Sequence, residues 1–137
     1  MANQYNLSDV FISYSRRNLD FAKKLFDRLE ADGKDVWADW DDIPMTADWW
    51  QEIEAGIDAA SAFVFIISPD SVASEICYKE VEHAAQNNKR IIPVLHIEVP
   101  REQQEQSMHA AIKTHNWVMF NHDEDFEAGY EKLIAAV

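Results

Sequence analysis

The 137-residue sequence predicts an α/β fold: a doubly wound, five-stranded parallel sheet with helices on both faces. Three observations lead there. Short β-rich runs alternate with longer segments of helical period, the order βαβαβ that builds parallel sheets. The runs Val10 to Ile12, Phe63 to Ile67 and Ile91 to Leu95 are almost continuously apolar, as strands covered on both faces must be. The length suits one domain with one core. The expected division is a tail over residues 1–8 and a single domain over residues 9–137.

The elements follow in order. The strands are expected at Asp9 to Ser15, Asp35 to Asp39, Ala62 to Ser68, Arg90 to His96 and Asn116 to Phe120. Leu19, Ala22, Leu25, Phe26 and Leu29 form the stripe of a first helix, which Asp32-Gly33 ends as a C-cap. Trp49, Trp50, Ile53, Ile57 and Ala60 form a second stripe. A third helix should begin after Ser68-Pro69-Asp70-Ser71, where Ser or Asp can cap, and run to Asn87-Asn88. The last covers about Asp125 to Ala136, with Phe126, Tyr130, Leu133 and Ile134 on its apolar side. Pro93 removes a ladder donor, so the fourth strand should lie at an edge or be irregular there. Residues 99–114 are polar and Gln-rich and show no clear period.

Composition narrows the function. Twenty-five acidic side chains stand against 12 Lys plus Arg, a formal charge of −13, which argues against general attraction to nucleic acid or anionic membranes. The three glycines are isolated, so neither a Walker loop nor a dinucleotide-binding G-x-G-x-x-G can be written. No apolar run is long enough to span a bilayer, and the start MANQYNLSD lacks the features of a signal peptide. The single cysteine, Cys77, suits a reducing compartment, and a cytoplasmic location is expected.

Ligands of open α/β sheets bind beyond the carboxyl ends of the strands, so the loops Tyr14 to Asn18, Asp39 to Trp49 and Ser68 to Ser74 are the ones to inspect. The first, Ser13-Tyr14-Ser15-Arg16-Arg17-Asn18, places two guanidiniums, a phenol and hydroxyls where the first strand meets its helix, a possible anion or phosphate site in an acidic protein; the plainer reading is a solvated or ion-paired pair of arginines. On the third helix Ala73, Ile76, Cys77, Val81 and Ala84 share an apolar stripe, and Glu80 falls inside it, while Glu75, Lys79, Glu82 and Gln86 fall opposite. An inward carboxylate must be partnered, neutralised or open to a cleft, so it is either a functional group or half of a structural ion pair. Glu80-x-x-His83 has metal-motif spacing but lacks the repeat and extra carboxylates, so no metal site is expected. Cys77 points into the stripe and reads first as a core thiol. Asp39, Asp41 and Asp42 lack the pattern of a calcium loop, and Trp49 and Trp50 read as core residues, one of which could also border the cleft.

Together these motifs resemble the Toll/interleukin-1 receptor (TIR) domain family. DVFISYSRRN is similar to its first-strand box and VWADWDDIPMTADWW to the second strand and following loop. SPDSVASEICYKEVEHA is similar to its Ser-x-x-Cys-x-x-Glu helix, RIIPVL to its fourth strand and NWVMF to its late aromatic box. The resemblance runs in order from Asp9 to the end and is nearest in tone to prokaryotic TIR modules of multidomain ATPase and WD-repeat proteins. It implies a flavodoxin-like sheet in which a fourth-strand proline is tolerated. Many members cleave NAD+ between nicotinamide and ribose, which makes Glu80 the implied catalytic residue, with NAD+ as substrate and no further cofactor. Arg16 would meet the substrate near its phosphates or nicotinamide, Asp39 and Trp49 would shape the ribose and base pocket, and Tyr14 and Cys77 would join them in binding. Some active members carry a tryptophan where this chain has Ile76. Homotypic assembly through the 40–49 loop is also implied. The rival expectation is a non-catalytic TIR–TIR interaction module. A phospho-receiver with the same sheet is excluded, because Ser68-Pro69 and Phe120-Asn121 stand where it needs aspartate and lysine.

Overall fold

A computed structural model describes residues 8–38, 49–120 and 126–137. Its elements are β1 (Ser8–Ser13), α1 (Leu19–Ala31), β2 (Val36–Trp37), α2 (Trp49–Ala59), β3 (Ala60–Ile67), α3 (Pro69–Val72) and α4 (Glu75–Gln86). They continue through β4 (Arg90–Leu95), α5 (Arg101–Ser107), α6 (Ala110–Thr114), β5 (Val118–Met119) and α7 (Phe126–Ala136). The strands form one sheet in the order β2-β1-β3-β4-β5, every neighbouring pair parallel. The predicted five-stranded, doubly wound α/β fold is therefore present.

Side-chain alternation divides the core into two layers. Val10, Ile12, Val64, Ile66, Ile92 and Val94 pack with Ala22, Leu25 and Leu29 of α1 and with Tyr130 and Leu133 of α7. Phe11, Phe63, Phe65, Ile67, Ile91 and Leu95 pack with Ile53 and Ile57 of α2, Cys77, Val81 and Ala84 of α4 and Ile112 of α6. Chain order reverses between β1 and β3, so the crevice of a doubly wound sheet is expected at the end of β1.

Several boundaries differ from expectation for local reasons. Ser8 belongs to β1, paired with Ala60, so the sheet reaches into the expected tail, and Ala60 starts β3 instead of ending a helix. The third predicted helix is two. Ser68 caps α3 through a reciprocal capping box with Ser71, and Ser74 caps α4 by accepting from the Cys77 amide at 3.2 Å. Ala73 lies in the break and is exposed, so it leaves the predicted stripe. Leu19 is likewise exposed. β4 is not an edge strand, but β5 pairs only with Val94 and Leu95, so Pro93 sits where that neighbour has not begun. Residues 99–114 hold α5 and α6, tied down by side chain to backbone bonds, Gln103 to the Pro69 carbonyl at 2.8 Å and Gln104 to the Val99 carbonyl at 2.9 Å. Gly33 ends α1 with φ of +85°, the left-handed conformation its C-cap role requires. Among the described residues no helix is long and apolar enough to cross a membrane. Asp39, residues 40–48 of the expected assembly loop and Asp125 lie outside the described residues.

Candidate functional site

The site is assembled where β1 ends. Ser15 caps a short 3-10 turn, Arg16–Asn18, accepting from the Arg17 amide at 3.3 Å and setting Arg16 and Arg17 outward. Asn18 turns inward, is buried, and accepts a 2.6 Å hydrogen bond from Ser68 Oγ. Ser68 also caps α3, so the loops after β1 and β3 are fastened together by buried hydroxyl and amide groups whose polar atoms satisfy one another.

On the other side of the crevice the Ser74 cap fixes the first turn of α4, and Glu80 follows on its buried face. Only 6% of Glu80 is exposed, and its Oε1 accepts a 2.6 Å hydrogen bond from Ser13 Oγ at the last residue of β1. Between the elements lies a cavity of about 310 Å³, at the small end of small-molecule sites. Its wall is apolar, with Phe11, Trp49, Ile53, Ile76 and Cys77; Tyr14, Arg16 and Arg17 supply the polar rim, and Glu80 is reached from inside. A carboxylate is thus held in an apolar wall opposite exposed guanidiniums, an arrangement suited to a ligand with an anionic part at the rim and developing positive charge within.

The structure brings together Tyr14, Arg16, Trp49, Cys77 and Glu80, five of the six predicted site residues, around this one cavity. Asp39 lies outside the described residues. Burial, and next the charge of Glu80, push the Cys77 thiol up to about 12, so it meets the cavity as a neutral group. Arg17 lies 4.0 Å from Asp70 with both side chains well exposed, a pair of little energetic weight. Ile76 lines the cavity where some members have tryptophan, leaving a smaller, non-stacking wall.

Glu80 and His83 diverge. His83 points from α4 to Asp58 at 2.8 Å and Glu54 at 3.5 Å, both on α2. No cluster of metal-ligating side chains occurs among the described residues. Ser13 belongs to the first loop's predicted group of hydroxyls, but its contact with Glu80 was not foreseen; the available signal was a hydroxyl two residues after Phe11 on the same, core-facing side.

The comparisons with known proteins agree with this architecture. A TIR domain family profile matches residues 10–134. No curated protein matches the chain by sequence. Among solved structures, the chain is similar to the TIR domain of the Toll-related receptor TRR-2 from Hydra magnipapillata, with a TM-score of 0.73 at 20% identity, covering 93% of this chain and 96% of that one. It is similar to the TIR domains of the activated Roq1 resistosome, with a TM-score of 0.70 at 14% identity over 93% of this chain and 98% of that one. The RPS4 and RRS1 TIR domain heterodimer gives 0.68 at 16% identity over 93% of each. With fold, motif order and family profile in agreement, the chain belongs to the TIR domain family.

Proposed function

We propose that this domain cleaves NAD+ at the bond between nicotinamide and ribose, giving nicotinamide and ADP-ribose or a cyclic isomer. The observation that carries the reading is the Glu80 carboxylate, buried in the wall of a crevice at the carboxyl end of β1. As the carbon–nitrogen bond breaks, its electron pair stays on the pyridinium nitrogen, and nicotinamide leaves as a neutral molecule. No proton donor is needed at the leaving group, which is why one carboxylate suffices where ordinary glycoside hydrolysis uses two. Positive charge grows on the ribose, and an ionised Glu80 in an apolar wall stabilises it. Water then attacks the ribose carbon and releases a proton, or a nucleophile within the ADP-ribose group closes the ring. Arg16 meets the pyrophosphate or nicotinamide end from the rim, Trp49 and Tyr14 border the ribose and base, and Cys77 contributes apolar contact. Asp39 is assigned to the same pocket from its place in the matching box.

Activity is proposed to depend on self-association through the 40–49 loop, in a cytoplasmic signalling or antiphage role. The Roq1 neighbour is an activated resistosome and the RPS4–RRS1 neighbour a TIR heterodimer, which supports assembly as the mode of use. The second reading is an interaction module without catalysis, and one observation favours it: the Ser13 hydrogen bond gives Glu80 a structural job by itself. One experiment separates them. The concentrated or tethered domain and its Glu80→Ala variant are incubated with NAD+ and nicotinamide release is followed by chromatography or NMR. Release by the wild type and none by the variant is expected; a silent wild type supports the interaction module, and an equally active variant overturns the assignment of Glu80 as the catalytic carboxylate.

A further inference from the structure

Resting on the reading of Glu80 as the catalytic carboxylate, we propose that Ser13 is its positioning residue, holding one carboxylate oxygen so that the group stays ionised and aimed along the crevice. Ser13 follows Phe11 by two positions on β1, so its side chain leaves the sheet on the Phe11 side, toward α2 and α4. It is 1% exposed and lies opposite Phe65, itself 3% exposed, in the β1–β3 ladder. An apolar side chain is the ordinary occupant of such a position; the hydroxyl there touches the Glu80 carboxylate and also meets the Cys77 thiol, the titratable neighbour on the same face of α4.

The contact suits positioning. At 2.6 Å it has the length of a charge-assisted hydroxyl to carboxylate bond. An ionised carboxylate only accepts, so Ser13 donates, and its proton is committed to Oε1. The anchor is a strand residue whose backbone is set by pairing with β3, while Glu80 sits 67 residues away on a helix, so a rigid element restrains a side chain with three rotatable bonds. A hydrogen bond to the charged form favours that form. Removing the hydroxyl therefore loosens Glu80 and shifts it toward protonation, whereas a hydroxyl with a structural role alone would leave kcat unchanged at pH values where Glu80 is fully ionised.

The test uses the full 137-residue chain with Ser13→Ala and Ser13→Thr. In Ser13→Ala, kcat for nicotinamide release should fall about tenfold or more, as for loss of a hydrogen bond to a charged group, with a much smaller change in KM. The acid limb of the kcat–pH profile should move to higher pH. Ser13→Thr keeps the hydroxyl and should recover both. Carbon-13 NMR of the Glu80 carboxyl gives a second readout without turnover: its titration midpoint should move to higher pH in Ser13→Ala and stay near wild type in Ser13→Thr. Unchanged kcat and acid limb in a folded Ser13→Ala variant overturn the proposal, as does a loss of melting temperature with an unmoved limb. A wild type that releases no nicotinamide overturns the proposed function instead, and the carboxyl titration still decides about Ser13, an unmoved midpoint ruling it out. Should Ser13→Ala fail to fold, Ser13→Cys, similar in size with a weaker donor, must move the midpoint in the same direction.

Discussion

Two side-chain hydrogen bonds that tie distant segments together share the same length, 2.6 Å: Ser13 to Glu80 and Arg28 to Glu127. The first joins β1 to α4, with both residues buried. The second joins α1 to α7, with side chains 37% and 70% exposed. In the buried pair the carboxylate has lost water, so its partner carries much of its solvation and the charge acts strongly on whatever enters the cavity. At the surface, water and salt screen the attraction; Arg28 is raised and Glu127 lowered chiefly by their mutual hydrogen bond, without consequence for the fold. Equal length does not mean equal work. The environment decides.

The sharpest way to break the comparison is Glu80→Gln. The amide oxygen can still accept from Ser13 and the shape is kept, but the charge is gone. Nicotinamide release should fall by about 10²- to 10³-fold or more while the melting temperature changes little or rises, since burying a charge costs stability. Retained activity would mean that the charge of the buried pair does no chemistry.

Cys77 probes the same environment. With its thiol near 12, alkylation of the native chain at about pH 8.5 should run at least about a hundredfold slower than for an exposed thiol, and reach the exposed rate on unfolding. The folded value lies above the unfolded one, near 8.5, so the neutral thiol's contribution to stability is complete below about pH 8.5 and is lost as pH rises toward about 12. Rapid native alkylation would show that the cavity wall is wetter than its packing indicates.

The α1–α7 side should behave differently, its charged contacts lying at an exposed surface and its close packing setting the larger cost. At Gly129 an added Cβ would meet the Met119 carbonyl oxygen at 2.7 Å and the Phe120 ring at 3.1 Å. Gly129→Ala should therefore cost about 1–3 kcal/mol in urea or thermal unfolding, because α7 must move off β5. Arg28→Ala removes the ion pair together with the guanidinium's stacking over the Tyr130 ring at 4.3 Å; it should have the smallest effect, and the ion-pair part of it should vanish at high salt. If Arg28→Ala cost more than Gly129→Ala, the surface pair would be holding α7 and the contrast with the buried pair would fail.

Parts of this were legible in the sequence because they follow from local periodicity. Runs of apolar residues covered on both faces led to the parallel sheet, and the wheel position of Glu80 led to a buried carboxylate, which the structure has at 6% exposure. Local capping was harder to read. Ser74 competes with Ser68 for the role of helix start, and both won, so one expected helix became two. The Gln-rich stretch was opaque because its glutamines bond to backbone carbonyls, Gln103 to Pro69 of a distant segment and Gln104 to Val99 at the start of its own, which no period reports.

By itself, then, the sequence determined the layer architecture, the family and the inward glutamate, since hydrophobic period and motif order are properties of neighbouring residues. Only the tertiary structure decided that Tyr14, Arg16, Trp49, Cys77 and Glu80 meet at one cavity. It alone decided that the hydroxyl of Ser13 reaches the carboxylate. The physical reason is that a hydrogen bond across 67 residues is set by the order in which parallel strands pair, and that order is a choice of the whole folded chain.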